Sequence, residues 1–353
     1  MNSPFSRNFG SDNVTPVCAP IMAAIHAANS GLMPSYGADE FTERLQGAAS
    51  TLFERNVAIY PVATGTAANA LALAQLAPPF GGIYCHEGAH IVTDECGAPE
   101  LFTGGAKLLG LPSPNGKIGS AALEASVALA IDMGVHHVKP SAVSVTQATE
   151  LGTVYGLDEL KALTAEAKRH GLPVHMDGAR FANALVHLGC SPAEATWKAG
   201  VDVLSFGATK NGALGAEAVV FFDRGRAEDF ERRRKRAGHL WSKLRYLSCQ
   251  LLAYLKDDLW LHNARQANAM ATRLAGGLAT VPGVELLQPV QANELFVAVP
   301  EALIAALERE GFHFYRWPWL KPSKGAAIRL VTSYASTPAE VDDFLDSAVR
   351  CRR

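Results

Sequence analysis

The sequence predicts an α/β fold: a large domain built on a mostly parallel sheet, followed by a smaller C-terminal α+β domain. Three observations carry this. The chain has 353 residues, and at roughly 150 residues per domain that is room for about two. Hydrophobic residues make up 48% and charged residues 19%, enough to bury a large core and too apolar for disorder to be the main state. Short, fully apolar runs alternate with helical stretches, the pattern of strands covered on both faces of a parallel sheet.

The elements follow in order. Residues 57–60 form the first apolar run, followed by Ala63-Thr-Gly-Thr-Ala-Ala-Asn69 and a helical stretch ending at Leu76. Residues 82–85 and 106–109 read as the next strands, and the β-branched run 142–146 ends at Gln147. Residues 157–170 are helical and stop at Gly171, which suits a left-handed helix C-terminus. Strands at 173–176, 201–206 and 218–222 complete the large sheet. The tail changes character: a long helix from about 262 to 279, strands at 284–287 and 294–299, a helix to about 309, strands at 312–315 and 328–331, and a last helix. The expected domains are 1–250, including an N-terminal arm, and 251–353, with the helical stretch 237–261 as linker.

Lys plus Arg number 32 against 34 Asp plus Glu. A chain so nearly neutral has no global electrostatic reason to bind nucleic acid or an anionic membrane. The basic run Glu231-Arg-Arg-Arg-Lys-Arg236 reads as a solvated helix face. Residues 1–13 lack the apolar core of a secretion signal. The longest stretch without Asp, Glu, Lys or Arg, 56–86, is broken by Pro61, Pro78 and Pro79 and reads as buried strand and helix, not as a membrane span. Six scattered cysteines without a C-x-x-C pair imply free thiols in a reducing, cytoplasmic setting. Cys96 is expected to be a buried apolar thiol.

The chemistry concentrates at strand ends, where ligands sit in such sheets. His175-Met-Asp-Gly-Ala-Arg180 closes one predicted strand, and Ser205-Phe-Gly-Ala-Thr-Lys-Asn-Gly212 closes the next. A lysine in an apolar setting is a Schiff-base candidate, because desolvation favours the neutral amine that attacks an aldehyde. Asp177, one strand earlier, can pair with a pyridinium nitrogen. Lys210 with Asp177 is therefore the signature of a pyridoxal 5'-phosphate (PLP) site. Thr64-Gly65-Thr66, between strand and helix, offers free N–H groups and a positive helix end to a phosphate. Taken singly, Asp177 reads as a helix cap, Lys210 as a loop lysine, and Thr66 and Thr209 as caps; the constellation carries the chemistry. His86-Glu-Gly-Ala-His90 spells the zinc motif H-E-x-x-H, but that motif needs a helix. Here it follows a strand and contains Gly88, so no metal site is expected. Arg329 lies in the apolar run Ile328-Arg-Leu-Val331, where a charge needs a partner, either a structural acid or a bound carboxylate.

On these residues the sequence resembles the L-threonine aldolase family, in its low-specificity and phenylserine aldolase branch, within the aspartate-aminotransferase-like (fold type I) PLP enzymes. The matching stretches are Ser11-Asp12, Tyr36-Gly37, ATGTAAN (63–69), GAHIVTDECGAPE (88–100), SVTQATELGTVY (144–155), HMDGARFANA (175–184), FGATKNG (206–212) and IRLVTS (328–333). The resemblance implies that Lys210 forms the Schiff base, Asp177 binds the ring nitrogen, and Arg180 lies near the phenolic oxygen. It places Gly65, Thr66 and Thr209 on the phosphate and His90 stacked on the ring. Ser11 and Arg329 would grip the substrate carboxylate, and Tyr36 would help shape the pocket. His136 and Asp94 would lie near the β-hydroxyl. Lys235 and Lys243 would reach the phosphate of a neighbouring subunit, in an active site shared across a dimer and assembled as a homotetramer.

The implied reaction is cleavage of L-β-hydroxy-α-amino acids, such as threonine, allo-threonine or phenylserine, to glycine and an aldehyde. His90, His136 or a water held by Asp94 could take the hydroxyl proton, and spacing does not choose among them. Two rivals stay open: another fold type I activity, such as β-elimination, and a non-catalytic PLP-binding regulatory module.

Overall fold

The computed structural model describes residues 7–351. Residues 1–6, part of the stretch read above as lacking a signal, lie outside them, as do 352–353. Each expected apolar run becomes a strand. The large sheet has seven: β1 (Ala58–Val62), β2 (Gly81–His86), β3 (Lys107–Leu111), β4 (Lys139–Thr146), β5 (Val174–Gly178), β6 (Val203–Gly207) and β7 (Glu217–Phe221). Their spatial order is β1-β7-β6-β5-β4-β2-β3. The run from β6 to β3 is parallel, while β7 is antiparallel to both β1 and β6. Strands β2, β5, β6 and β7 are buried along their whole length, which is why their sequences show no polar alternation.

A second sheet is antiparallel and four-stranded, ordered β10-β11-β9-β8, from β8 (Glu285–Leu286), β9 (Glu294–Val299), β10 (Tyr315–Arg316) and β11 (Ala326–Val331). Its β10 is shorter than and displaced from the expected 312–315. The cause is the N-terminal arm: Phe9 N–H donates to His313 O (2.7 Å) and His313 N–H to Arg7 O (2.9 Å), taking the backbone groups that a longer β10 would use. Phe9 then packs edge-on against Phe344, with ring centroids 5.1 Å apart, inside the core beneath this sheet.

The stretch 237–261 is not a linker. Helix Arg245–Leu255 buries Leu247, Leu251 and Tyr254 in the large core, together with Leu244. These apolar residues recur at helical spacing, the stripe of a core helix. The connection between the cores is the next helix, Leu259–Leu278, roughly 30 Å long at 1.5 Å per residue. Its first turns place Trp260 and Ala264 in the large core, and its later turns place Met270, Ala271, Leu274 and Leu278 in the small one. Among the described residues no helix is long and apolar enough to cross a membrane.

Two local expectations change. Within the basic helix Phe230–Arg236, Arg234 is buried, donates to Pro61 O (3.2 Å) and lies over the Tyr60 ring, because that helix covers the β1 edge. Cys96 is exposed, in a loop where its φ is +52°; the apolar side of that loop is supplied by Ile91 and Pro99 instead. All six cysteines are free thiols.

Candidate active site

Parallel strands deliver their carboxyl ends to one side of a sheet, and here four ends converge. Thr146, Asp177 and Ser205 are register partners on β4, β5 and β6. The segments that follow these strands and β2 carry Glu150, Arg180, Lys210 and His90. The close approach needs Gly207 at the end of β6. A Cβ there would lie 2.7 Å from backbone atoms of Ala179, so a side chain would wedge apart the Asp177 and Lys210 segments.

Asp177 is buried, accepting from Asn69 Nδ2 (2.7 Å) and from the Ala179 N–H (2.9 Å). Lys210 sits half-buried in the one-turn helix Thr209–Asn211. That turn is anchored by Glu217, which accepts from the N–H groups of Ala208 (3.2 Å) and Thr209 (3.3 Å). Burial pushes the Glu217 carboxyl up to about 7. The Thr209 hydroxyl accepts from the Ala216 N–H. Asn211 donates to Tyr254 Oη and Trp260 O, tying the turn to the core.

His90 opens the short helix His90–Thr93. Its Nδ1 is 2.9 Å from Glu95 Oε1, and its backbone N–H donates to Glu150 Oε1 (2.8 Å). The hydrogen bond to Glu95 raises the imidazole above its ordinary range, against burial. Burial pushes Glu150 up to about 7; its Oε1 also accepts from the Thr146 hydroxyl, while its Oε2 is closed off without a partner. Helix Gly65–Leu76 starts behind them, capped by Thr64, whose hydroxyl accepts from the Ala67 N–H. Gly65 faces open space, with nothing within 4 Å of a Cβ placed there, and Thr66 is half-buried beside it.

An ion cluster closes the site toward the small sheet. Arg180 grips Asp12 through Nε (2.8 Å) and Nη2 (3.0 Å), and its Nη1 lies 3.2 Å from Glu294. Burial pushes Asp12 up, but Arg180 and then Lys210 outweigh it and hold the carboxyl below its usual range. Arg329 donates to Gly10 O (3.0 Å), stands 3.8 Å from Glu294, and keeps a buried Nε without a partner. Ser11, next to Gly10, accepts from the Asn13 N–H.

Lys210, Asp177, His90, Gly65, Thr66, Thr209, Arg180, Ser11 and Arg329 therefore lie on segments that meet around these strand ends. Arg180 arrives already paired, all three of its nitrogens directed at carboxylates. His136 is not brought to these strand ends within one subunit: it ends the exposed turn Gly134–His136 before β4 begins, and β4 itself spans about 23 Å at about 3.3 Å per residue. Asp94 is exposed on the loop after His90, with its Oδ2 taken by the Thr93 hydroxyl. Tyr36, Lys235 and Lys243 form a separate exposed group: the Lys235 amine lies 4.3 Å above the Tyr36 ring, and the Tyr36 N–H donates to Ser242 O. His239 links that surface to the phosphate-type turn by accepting from the Ala63 N–H (3.3 Å). His86 does not share a helix face with His90; its Nδ1 accepts from the Gly88 N–H and its Nε2 meets Ser113 O.

The sequence reading passed over Asn69, Glu95, Glu150, Glu217 and Glu294. Three of these lie inside stretches already singled out, and Glu217 and Glu294 open strands whose remaining residues are apolar, a place where a carboxylate needs a reason.

Fold and site together define a class: α/β proteins with a lysine and an aspartate on neighbouring strand ends, facing a helix N-terminus. Residues 8–302 match the family model described as beta-eliminating lyase, and the chain belongs to that family. It is 47% identical over 310 residues to the low specificity L-threonine aldolase of Pseudomonas sp. (strain NCIMB 10558), covering 88% of this chain and 89% of that one. It is 48% identical to the protein of the same name from Pseudomonas aeruginosa, with the same coverage. A solved structure of Leishmania major threonine aldolase superposes with a TM-score of 0.92 at 28% identity, covering 98% of this chain and 99% of that one.

Proposed function

We propose that this chain is a PLP-dependent aldehyde-lyase that cleaves L-β-hydroxy-α-amino acids to glycine and an aldehyde. The observation that carries this reading is the meeting of Lys210, Asp177 and His90 at adjacent strand ends, in a chain so similar to named threonine aldolases. The residues suit the cofactor. Gly65 leaves open space at a helix N-terminus, where the first N–H groups lack helical partners, as a phosphate needs. Asp177 is a buried anionic acceptor fixed by two donors, suited to a protonated ring nitrogen. Gly65, Thr66 and Thr209 would hold the phosphate, Arg180 would face the phenolic oxygen, and Lys210 would be the point of covalent attachment.

Bound there, PLP would supply an electrophilic carbon and an electron-withdrawing ring. The chain does the rest. Arg329, with its unpartnered Nε, and Ser11 hold the substrate carboxylate and so set which bond at Cα stands ready to break. Asp177 would favour a proton on the ring nitrogen by charge. A base takes the β-hydroxyl proton. Lys235 and Lys243, on the exposed surface joined through His239 to the Ala63 turn, would serve the phosphate site of a second subunit in a cytoplasmic homotetramer.

The test is product identification. Incubated with L-threonine or L-phenylserine, the purified protein gives glycine and the matching aldehyde; ammonia and a keto acid would instead favour the elimination suggested by the family's description. Lys210→Ala loses borohydride labelling and several powers of ten in turnover, each about 1.4 kcal/mol. Full activity in that variant would overturn the assignment.

A further inference from the structure

Of the three candidate bases, His90 is the one that a single subunit partly buries at the strand ends. Within that subunit His136 stands at the other end of β4, and Asp94 is exposed with its Oδ2 accepting from the Thr93 hydroxyl. His90 is half-buried among the site's charges. Asp177 on β5 raises it, Lys210 after β6 lowers it, Glu150 after β4 takes its backbone N–H, and Glu95 meets its ring.

Glu95 is 3% exposed. One oxygen, Oε1, receives both His90 Nδ1 (2.9 Å) and Asn69 Nδ2 (2.8 Å), while Oε2 is buried without a partner. Asn69 gives its other amide hydrogen to Asp177 Oδ2 at 2.7 Å. Both neighbours of that amide are carboxylates, so only its NH2 end can face them. A single chain of hydrogen bonds thus runs from Asp177 through Asn69 and Glu95 to the His90 ring. A carboxylate on Nδ1 keeps the proton there and leaves the lone pair on Nε2.

We propose that Glu95 is a positioning residue for carbon–carbon cleavage: it holds His90 as the Nδ1–H tautomer so that Nε2 receives the substrate's β-hydroxyl proton, and its buried charge stabilises the imidazolium that forms. This rests on the aldolase reading above. As the O–H bond breaks, an N–H bond forms at Nε2. The O–H electron pair becomes the aldehyde π bond, the Cα–Cβ pair goes to Cα, and Cα takes up one proton to give glycine, balanced by the one that Nε2 then releases. The arrangement follows the logic of a carboxylate behind a catalytic histidine. The hydrogen bond to Glu95 is also the largest influence raising His90, while burial, above all, raises Glu95 itself.

The test uses Glu95→Gln in the holoenzyme. Glutamine keeps an acceptor for Asn69 and His90 but removes the charge. The expected result is kcat at least about tenfold lower, part of the about 10²–10⁴-fold that a general base contributes, with KM for L-threonine and the cofactor absorbance unchanged. The acidic limb of the kcat profile moves to lower pH, because the imidazolium has lost its counter-charge. Nitrogen NMR of histidine-labelled enzyme, with His90 assigned by His90→Asn, shows the same downward titration shift. An unmoved titration and acidic limb in a folded Glu95→Gln would overturn the proposal. Should that variant not fold, the wild-type spectrum decides: neutral His90 protonated on Nε2 instead of Nδ1 overturns it. A wild type that yields no glycine and aldehyde would sink the aldolase reading instead, while the tautomer stays measurable.

Discussion

Arg329 carries its charge where charge is expensive. Burial pulls its guanidinium down from the usual range, Glu294 stands 3.8 Å away, and the rings of Tyr315 and Trp317 lie 5.2 and 4.7 Å from its central carbon. A buried donor left without a partner costs about 1–3 kcal/mol, so the unpartnered Nε marks the place where an incoming carboxylate gains most. Arg329→Leu is expected to raise KM for L-threonine by about 10- to 100-fold, the worth of a charged hydrogen bond of roughly 1.5–3 kcal/mol, with cofactor absorbance retained; an unchanged KM would remove the clamp. At this scale the sequence was legible where chemistry restricts the residue type. A Schiff base needs Lys210 and a ring nitrogen needs Asp177, whatever surrounds them. His136 entered through the family resemblance alone, and within one subunit it lies at the other end of β4 from these groups. Glu95 and Glu150 stayed hidden because a loop carboxylate reads as a solvated one, and their burial exists only once four strand ends meet.

The three central strands are pinned beneath the site by one imidazole. His175 on β5 is fully buried; its Nδ1 meets Ser144 Oγ on β4 and its Nε2 meets Ser205 Oγ on β6, both at 2.9 Å. It shares a face of β5 with Asp177, two residues on, so the pin fixes the strand that presents the aspartate. Burial pushes His175 down to about 4, whereas an unfolded chain takes up that proton near 6.5. Between those values the unfolded state binds more protons. The stabilisation is therefore complete above about pH 6.5 and is lost as pH falls through 4, a loss on the order of 3 kcal/mol. Urea unfolding at pH 7 and near pH 4.5 should show His175→Met less stable at neutral pH but with a distinctly shallower acid loss; equal acid losses would show that another group governs that limb. The strands themselves were readable, since continuous apolar runs of this length have few other fates. The helix Arg245–Leu255 was not, because its apolar stripe fits a linker helix and a core helix equally well until its neighbours are known.

At the scale of the whole molecule, two cores share their fastenings. Helix Leu259–Leu278 gives its first turns to the large core and its later turns to the small one. The N-terminal arm puts Phe9 into the small core and, three residues later, Asp12 against Arg180 of the large sheet. Glu294 on β9 of the small sheet meets the same Arg180, and Asn293 donates to Asp12 at 3.0 Å. Composition and length predicted two units but could not show this lacing, which depends on residues nearly 300 positions apart. Breaking the small core would strand the second half of a continuous helix and leave Arg180, Asp12 and Glu294 buried without their partners, and truncating one side of such a buried set costs about 3–5 kcal/mol. The two cores should therefore unfold together, although chains of two units often do not. Trp260 reports on the large core, and Trp317, packed 5.4 Å from Phe296 of β9, reports on the small sheet. In variants that keep one of these tryptophans and replace the other four with phenylalanine, urea transitions followed by fluorescence should coincide in midpoint. A Trp317 signal lost at clearly lower urea than the Trp260 signal would mean that the small unit melts alone and that the shared helix and ion cluster do not couple them.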